Sequence, residues 1–427
     1  MKSSKLNRKA YRDIIIVSGI RGAGLISVII FQATISQLFG PSTLGYSMIA
    51  WMVVSVVSTT SRLGIDVAVV RLISSNFMPT EHQQRSDIIH AALLLGTLFG
   101  ALGGLALWLA SLPLSTTYFN KPQITPILSV MSAAIVPSTL SAIISGILNG
   151  CRFTWLAVAM QNLIPISLTT IGMLLLPDSL GPNRISIGFA GGWVITLGIG
   201  LTALWRLGTF RSFSLSPIPF RALYSSASHL AISQIVNQLI LWLPLIVAGH
   251  YLVASDVGIL SISLRIGITV SFLLMSISIV LAPTYGRLFR ENRIDEIQSI
   301  ARTTARYMGA ISSLVFLILV WTGPYILTVA GVDPDPGYRV LLIIAAGQLT
   351  NSLSGSVGYL LNMSGNEAAT KQTSITTLIL SLPTILIFVK TLGATGAALG
   401  AAFSVVAINL LMIVALKRRT GISSLPF

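Results

Sequence analysis

Apolar runs of about 20 residues, each long enough to cross the roughly 30 Å hydrocarbon core of a bilayer, recur from Ile14 almost to the end of the chain. Short polar connectors separate most of them. At a helical rise of about 1.5 Å per residue, the pattern predicts twelve spans, at 14–37, 45–73, 87–111, 124–149, 154–177, 185–206, 223–252, 257–284, 301–323, 338–362, 368–389 and 395–416. The longer ones must tilt or protrude. No polar stretch is long enough for a soluble domain, so the expectation is an all-α polytopic membrane protein.

Composition agrees with this. The 427 residues are 53% hydrophobic and only 9% charged, against about 25% charged in soluble domains. The net charge of +15 would suggest nucleic acid in a soluble chain, but its distribution gives it another meaning. With the N-terminus inside, 20 of the 27 basic residues fall at cytoplasmic ends or loops. Only Lys121, Arg184, Arg339 and Lys390 fall outside, and Arg21, Arg62 and Arg265 lie within spans. This is the positive-inside distribution, which places both termini in the cytoplasm, favours contact with anionic lipid heads, and leaves no role for nucleic acid. The basic N-terminal cluster before the first run lacks a small-residue cleavage site, so that run reads as an uncleaved span rather than a signal peptide. The single cysteine, Cys151, excludes an intrachain disulfide and reads as structural.

The chain repeats itself weakly. An offset of 213 residues places Tyr11 on Tyr224, "STLGYS" (42–47) on "SDVGIL" (255–260) and "ILN" (147–149) on "LLN" (360–362). At a similar offset Gly188 and Gly192 find counterparts in Gly396 and Gly400. Two six-helix bundles of the same orientation are expected, at 1–210 and 223–427, joined by a cytoplasmic linker at 211–222 rich in Ser and Pro; transporters are often built from such repeats. Gly96, Gly100 and Gly104 form a ridge at spacing four that lets helix backbones approach. Pro137, Pro165, Pro244 and Pro383 lie inside expected spans and favour kinks.

Charges inside the spans need separate explanation. Arg62 and Asp66 are four residues apart, one face of a continuous helix, where they can pair. Arg71 lies closer to the cytoplasmic end and can snorkel. Arg62 sits about 16 Å from the inner end of its span, where a charge costs at least about 2.5 kcal/mol. An architectural pair accounts for Arg62 and Asp66 alone, but Arg21 and Arg265 have no acid at helical spacing. With Asp66 as the one acid well inside a span, the local excess is positive and an anion is the natural missing partner. Arginine suits phosphate because its planar fork donates two parallel hydrogen bonds. His229 is a candidate for proton or ion coupling, set against the commoner packing role of a lone intramembrane histidine. The segment 285–302 carries Ile294, Ile297 and Ile300 among charges, and reads as a helical connector with a solvated face or, alternatively, a segment lying along the membrane surface. "GVDPDPGYR" (331–339) reads as a turn. Neither a phosphate loop, a zinc spacing nor a nucleophile elbow occurs, so no catalytic residue, cofactor or metal is expected and the protein reads as a carrier rather than an enzyme.

The stretches "LGIDVAVVRLIS", "SDVGILSISLRIGITVSFLLMSISIVLAPTYGRLF", "GYLLNMSGNEAAT" and "LGATGAALGAAFSVVAINLLMIV" together resemble the polysaccharide transporter branch of the multidrug/oligosaccharidyl-lipid/polysaccharide (MOP) exporter superfamily, which includes Wzx-type O-antigen flippases. The resemblance covers essentially the whole chain and is most specific in the eighth span. It implies twelve helices in two six-helix lobes, a MATE-like V around a central cavity. It also implies alternating-access transport of an undecaprenyl-pyrophosphate-linked sugar to the outer leaflet of the bacterial inner membrane, by a functional monomer alongside polysaccharide polymerase and chain-length proteins. Arg21, Arg62 and Arg265 match the family's cavity cations by span and type, with Asp66 as balancing acid. The rivals are a multidrug antiporter of the same superfamily, disfavoured by the paucity of intramembrane acids, and a membrane-bound oligosaccharide polymerase or ligase, disfavoured by short outer loops. A peptidoglycan-precursor flippase would use the same physics.

Overall fold

The structure is a computed structural model that describes residues 2–75, 82–208 and 217–425; among these there is no β-strand. The helices are α1 (Lys2–Phe39), α2 (Pro41–Arg62), α3 (Ile65–Ser75), α4 (His82–Pro113), α5 (Ile124–Ser132), α6 (Ile135–Gly150), α7 (Thr154–Asn162) and α8 (Ile164–Leu175). They continue as α9 (Asn183–Arg206), α10 (Pro217–Tyr251), α11 (Ala254–Gly267), α12 (Thr269–Arg290), α13 (Ile294–Val329), α14 (Pro334–Ser354), α15 (Val357–Met363) and α16 (Glu367–Thr420).

Among the described residues, six helices are long and apolar enough to cross a membrane, and four bent pairs reach the same length and hydropathy when each is taken as one span. The bends are 47° between α5 and α6, 42° between α7 and α8, 46° between α11 and α12, and 41° between α14 and α15. Two expected proline kinks fall at such bends, Pro137 in the first turn of α6 and Pro165 at the start of α8, whereas Pro244 and Pro383 sit inside α10 and α16. The 54 residues of α16 would run about 80 Å if straight. Gly393 adopts φ 61° and ψ −134°, a conformation open to glycine, and divides α16 into two arms. A Cβ at Gly396 would lie 1.8 Å from Phe388 O and one at Gly400 2.5 Å from Ile385 Cγ1, so the arms run side by side. With the arms counted separately and the 35-residue α10 added, the elements fall on the twelve expected spans.

The chain divides into two compact units, Met1–Ile35 with Tyr46–Gln238, and Ser36–Gly45 with Leu239–Phe427. The expected linker at 211–222 lies partly outside the described residues, and from Pro217 onward it is already α10.

In the first unit, aliphatic residues of α3 (Ile65, Val69, Ile73), α4 (Ile88, Ile89), α6 (Ile143, Ile144, Ile147) and α9 (Leu204) form one core, to which the buried Cys151 belongs. The glycine ridge of α4 works as its spacing predicts. A Cβ at Gly96 would lie 2.4 Å from Ile143 Cδ1 and one at Gly100 3.3 Å from Val136 Cα, so α4 lies directly on α6. A Cβ at Gly192 would meet Pro165 O at 2.8 Å, fixing α9 on α8. An edge-to-face series, Phe31–Trp51, Trp51–Phe189 and Phe189–Trp193, ties α1, α2 and α9 together at centroid distances of 5.8, 6.0 and 6.4 Å.

In the second unit, Tyr285, Leu288, Ile297, Leu360, Leu361, Leu416 and Ile422 close the end where α12 and α16 finish. Ile422 belongs to the segment after α16, which folds back: Ile422 is fully buried, and Ser424 Oγ donates to Ser354 O at 3.0 Å. The segment 285–302 is not a separate surface helix. α12 runs on to Arg290, Asn292 (φ 54°) turns the chain, and α13 starts at Ile294 and continues into its span. Asp333 caps α14 by accepting from Asp335 N at 3.1 Å, which is what the acid–proline sequence at 331–339 encodes.

The corner between α1 and α2 belongs to this unit. Ser36 Oγ donates to Gly331 O at 2.6 Å. A Cβ at Gly45 would lie 1.8 Å from Ala254 O, and one at Gly258 would lie 2.3 Å from Pro41 O. Pro41 and Ala254 open α2 and α11, and both they and the two glycines stand 213 positions apart. The contact is therefore reciprocal within this unit, the carbonyl that opens each helix meeting the glycine of the other.

Candidate functional site

The expected second span, 45–73, is not one helix. Leu63 (φ 48°) and Gly64 (φ 75°) both take left-handed backbone, so α2 stops at Arg62 and α3 begins at Ile65. Continuous-helix spacing therefore does not explain why Arg62 and Asp66 meet. They meet across the break, Arg62 Nη1 lying 3.6 Å from Asp66 Oδ2. Each charge also suits its helix end. A cation is favoured at the carbonyl-rich end of α2, and an anion at the amide-rich start of α3.

Asp66 is firmly held. Its Oδ1 accepts from Val67 N at 3.1 Å and from Gln234 Nε2 of α10 at 3.3 Å. A Cβ at Gly146 of α6 would lie 2.2 Å from Asp66 O, so the backbone there is pinned as well. Arg62 is held more loosely. Nη2 reaches Ser58 Oγ at 3.5 Å, while Nε is buried with no hydrogen-bond partner among the described residues. Ser58 is itself engaged with Ser138 at 2.9 Å and Thr139 at 3.4 Å on α6. A guanidinium carries five donors, and of these one, at Nη2, makes a hydrogen bond among the described residues.

Arg21 stands on α1 in the same unit. Its Nε is also buried without a hydrogen-bond partner among the described residues. One turn on, a Cβ at Gly24 would lie 2.5 Å from Asn162 O, and Ser27 Oγ and Ser167 Oγ are 3.2 Å apart, so α1 packs at the bend between α7 and α8. Arg265 belongs to the second unit. It lies in the last turn of α11, just before the bend into α12, with its guanidinium 5.9 Å from the Trp242 ring centroid, a cation–π arrangement. Arg62 and Arg265 thus each sit at the end of the first half of a broken span. Arg71 is exposed. His229 lies on α10, with its side chain outside the described residues.

Gln234 escaped the charge-based reading because it is neutral. The signal was present in the amides Gln234, Asn237 and Gln238, spaced three and four apart in an apolar run. A second amide cluster, in the other unit, was missed for the same reason. Ser271 Oγ donates to Gln348 Oε1 at 2.6 Å, and Asn409 Nδ2 donates to Asn351 Oδ1 at 3.0 Å.

Residues 35–331 match the family described as polysaccharide biosynthesis protein. The chain is 21% identical over 394 residues to a probable low-salt glycan biosynthesis flippase, Agl15, of Haloferax volcanii, covering 91% of this chain and 79% of the relative. The fold is similar to that of an inward-facing multidrug resistance MATE family transporter of the MOP superfamily, with a TM-score of 0.78 and 14% identity over 95% of this chain and 99% of the other. It is also similar to that of the lipid II flippase MurJ in an inward closed conformation, with a TM-score of 0.76 and 14% identity over 94% and 87%. The chain is a multi-pass membrane protein that belongs to the polysaccharide biosynthesis protein family.

Proposed function

We propose that the protein is a flippase for undecaprenyl-pyrophosphate-linked oligosaccharide, an O-antigen or other surface polysaccharide repeat unit, carried from the cytoplasmic to the outer leaflet by alternating access. The observation that carries this reading is Arg62: a cation inside a span, beside a single acid 3.6 Å away, with its Nε given no hydrogen-bond partner among the described residues. The likeness to a glycan biosynthesis flippase supports the same class of cargo. In this reading Arg21, Arg62 and Arg265 receive the pyrophosphate and Asp66 balances them when it is absent. The sugars follow the head group along a polar path while the polyprenyl tail stays in lipid, which spares the head group the cost of crossing hydrocarbon. His229 is the candidate for coupling transport to an ion. The protein would act in the cytoplasmic membrane as a monomer with both termini inside, handing its product to polymerase and chain-length proteins.

The test is deletion of the gene in its host, with the surface polysaccharide ladder compared to the leaflet distribution of lipid-linked oligosaccharide. Loss of the ladder with complete units accumulating on the inner leaflet supports the flippase. Loss with units already on the outer leaflet indicates a polymerase or ligase, and an intact ladder with raised drug sensitivity indicates an antiporter.

A further inference from the structure

The two partners of the Arg62–Asp66 pair are held very unequally. Asp66 has two donors on Oδ1, from Val67 N and Gln234 Nε2, and a backbone pinned by Gly146. Arg62 has a contact to Ser58 at the 3.5 Å limit, an ion pair at 3.6 Å, and a buried Nε with no hydrogen-bond partner among the described residues. A separation of 3.6 Å is too long for a hydrogen bond, so the carboxylate attracts the guanidinium without locking it. Gln234 contributes to this slack, because its donor takes up part of the carboxylate's accepting capacity.

We infer that Asp66 is a built-in counter-ion that parks Arg62 while the site is empty, that Gln234 tempers this hold, and that an oxyanion binds by taking Arg62 from Asp66. The inference rests on the reading of Arg62 as a head-group ligand and adds how that ligand is regulated. Exchange of one anion for another leaves no uncompensated guanidinium inside the span at any stage. Asp66 also competes for Arg62 while cargo is bound, so it favours release as well as restraining entry. If Arg62 is parked for about nine-tenths of the time, apparent affinity for the oxyanion falls about tenfold.

The experiment titrates inorganic pyrophosphate into the full chain in lipid nanodiscs, read by calorimetry, for wild type, Arg62→Gln, Asp66→Asn, Asp66→Glu and Gln234→Leu. Asp66→Asn is near-isosteric and should bind about tenfold tighter, whereas a folding defect would weaken binding. Asp66→Glu keeps the charge and should lie near wild type. Gln234→Leu returns accepting capacity to the carboxylate and should bind several-fold more weakly, an effect that should vanish when combined with Asp66→Asn. Arg62→Gln should erase the gain from Asp66→Asn. If Arg62 is required but Asp66→Asn binds no tighter, or if Gln234→Leu acts equally without the acid, the counter-ion inference is wrong and the head-group reading stands. If Arg62→Gln binds as wild type does, or neither binds, both fall.

Discussion

Gly45 and Gly258 stand 213 residues apart, and each is pressed against the backbone carbonyl of the residue that opens the other's helix, Ala254 for Gly45 and Pro41 for Gly258. A carbonyl on a helix cannot swing aside as a long side chain can. Gly45→Ala and Gly258→Ala should therefore each force the helices apart, at about 1–3 kcal/mol for overpacking. Thermal unfolding of the purified variants in detergent measures this. Because the contact is reciprocal the two losses should be similar, and a loss at one position alone would argue against a shared contact.

The break between α2 and α3 offers a pair of opposite predictions. Leu63 carries a side chain at φ 48°, so Leu63→Gly should be neutral or slightly stabilising. Gly64 lies at φ 75°, and Gly64→Val should cost about 1–3 kcal/mol in backbone strain. It should also weaken export, because it disturbs the ends on which Arg62 and Asp66 are mounted. A melting series together with a surface-polysaccharide blot separates the two effects.

Arg21→Gln, Arg62→Gln and Arg265→Gln should each abolish export while the protein remains in the membrane at native level. Arg62→Gln also leaves Asp66 inside the span without its ion-pair partner, so it should melt below the other two variants. Full export by all three, with membrane abundance confirmed by blotting, would remove the case for an anionic cargo.

Ile422 fills a pocket formed by α12, α13, α15 and α16. Ile422→Ala should cost about 2–5 kcal/mol, the range for emptying a buried aliphatic site. Limited proteolysis should then cut earlier near 421–425, and an unchanged digestion pattern would contradict a packing role for this segment.

Much of the fold was legible because a bilayer imposes a simple rule, that every span be apolar for about 20 residues, and hydropathy reports it directly. The ridge of Gly96, Gly100 and Gly104 could be read for a related reason, since close helix approach demands small residues at a fixed spacing. The breaks were harder. Those between α5 and α6 and between α7 and α8 lie beside Pro137 and Pro165, but that after Arg62 rests on Leu63, whose side chain does not announce a left-handed conformation. The pairing of Arg62 with Asp66 was thus anticipated with the wrong geometry behind it, because four residues bring two side chains together across this break much as they do along a helix. Gln234 shows the other limit. A neutral amide leaves no mark in a count of charges, and its role is set by the helix packed opposite it.

The turn at Gly393 has a consequence for how the chain enters the membrane. With Gly396 and Gly400 already against Phe388 and Ile385, the two arms of α16 are joined with almost no intervening loop. Two apolar arms so closely joined are suited to partition into lipid as one hairpin. Polar groups such as Ser381, Ser404 and Asn409, all buried in the folded protein, would thus enter the bilayer on a hairpin whose hydrophobic gain is shared between both arms. Inserted in this way, residues 367–420 enter as a single unit, and the turn at Gly393 returns Lys417, Arg418 and Arg419 to the side on which Glu367 starts.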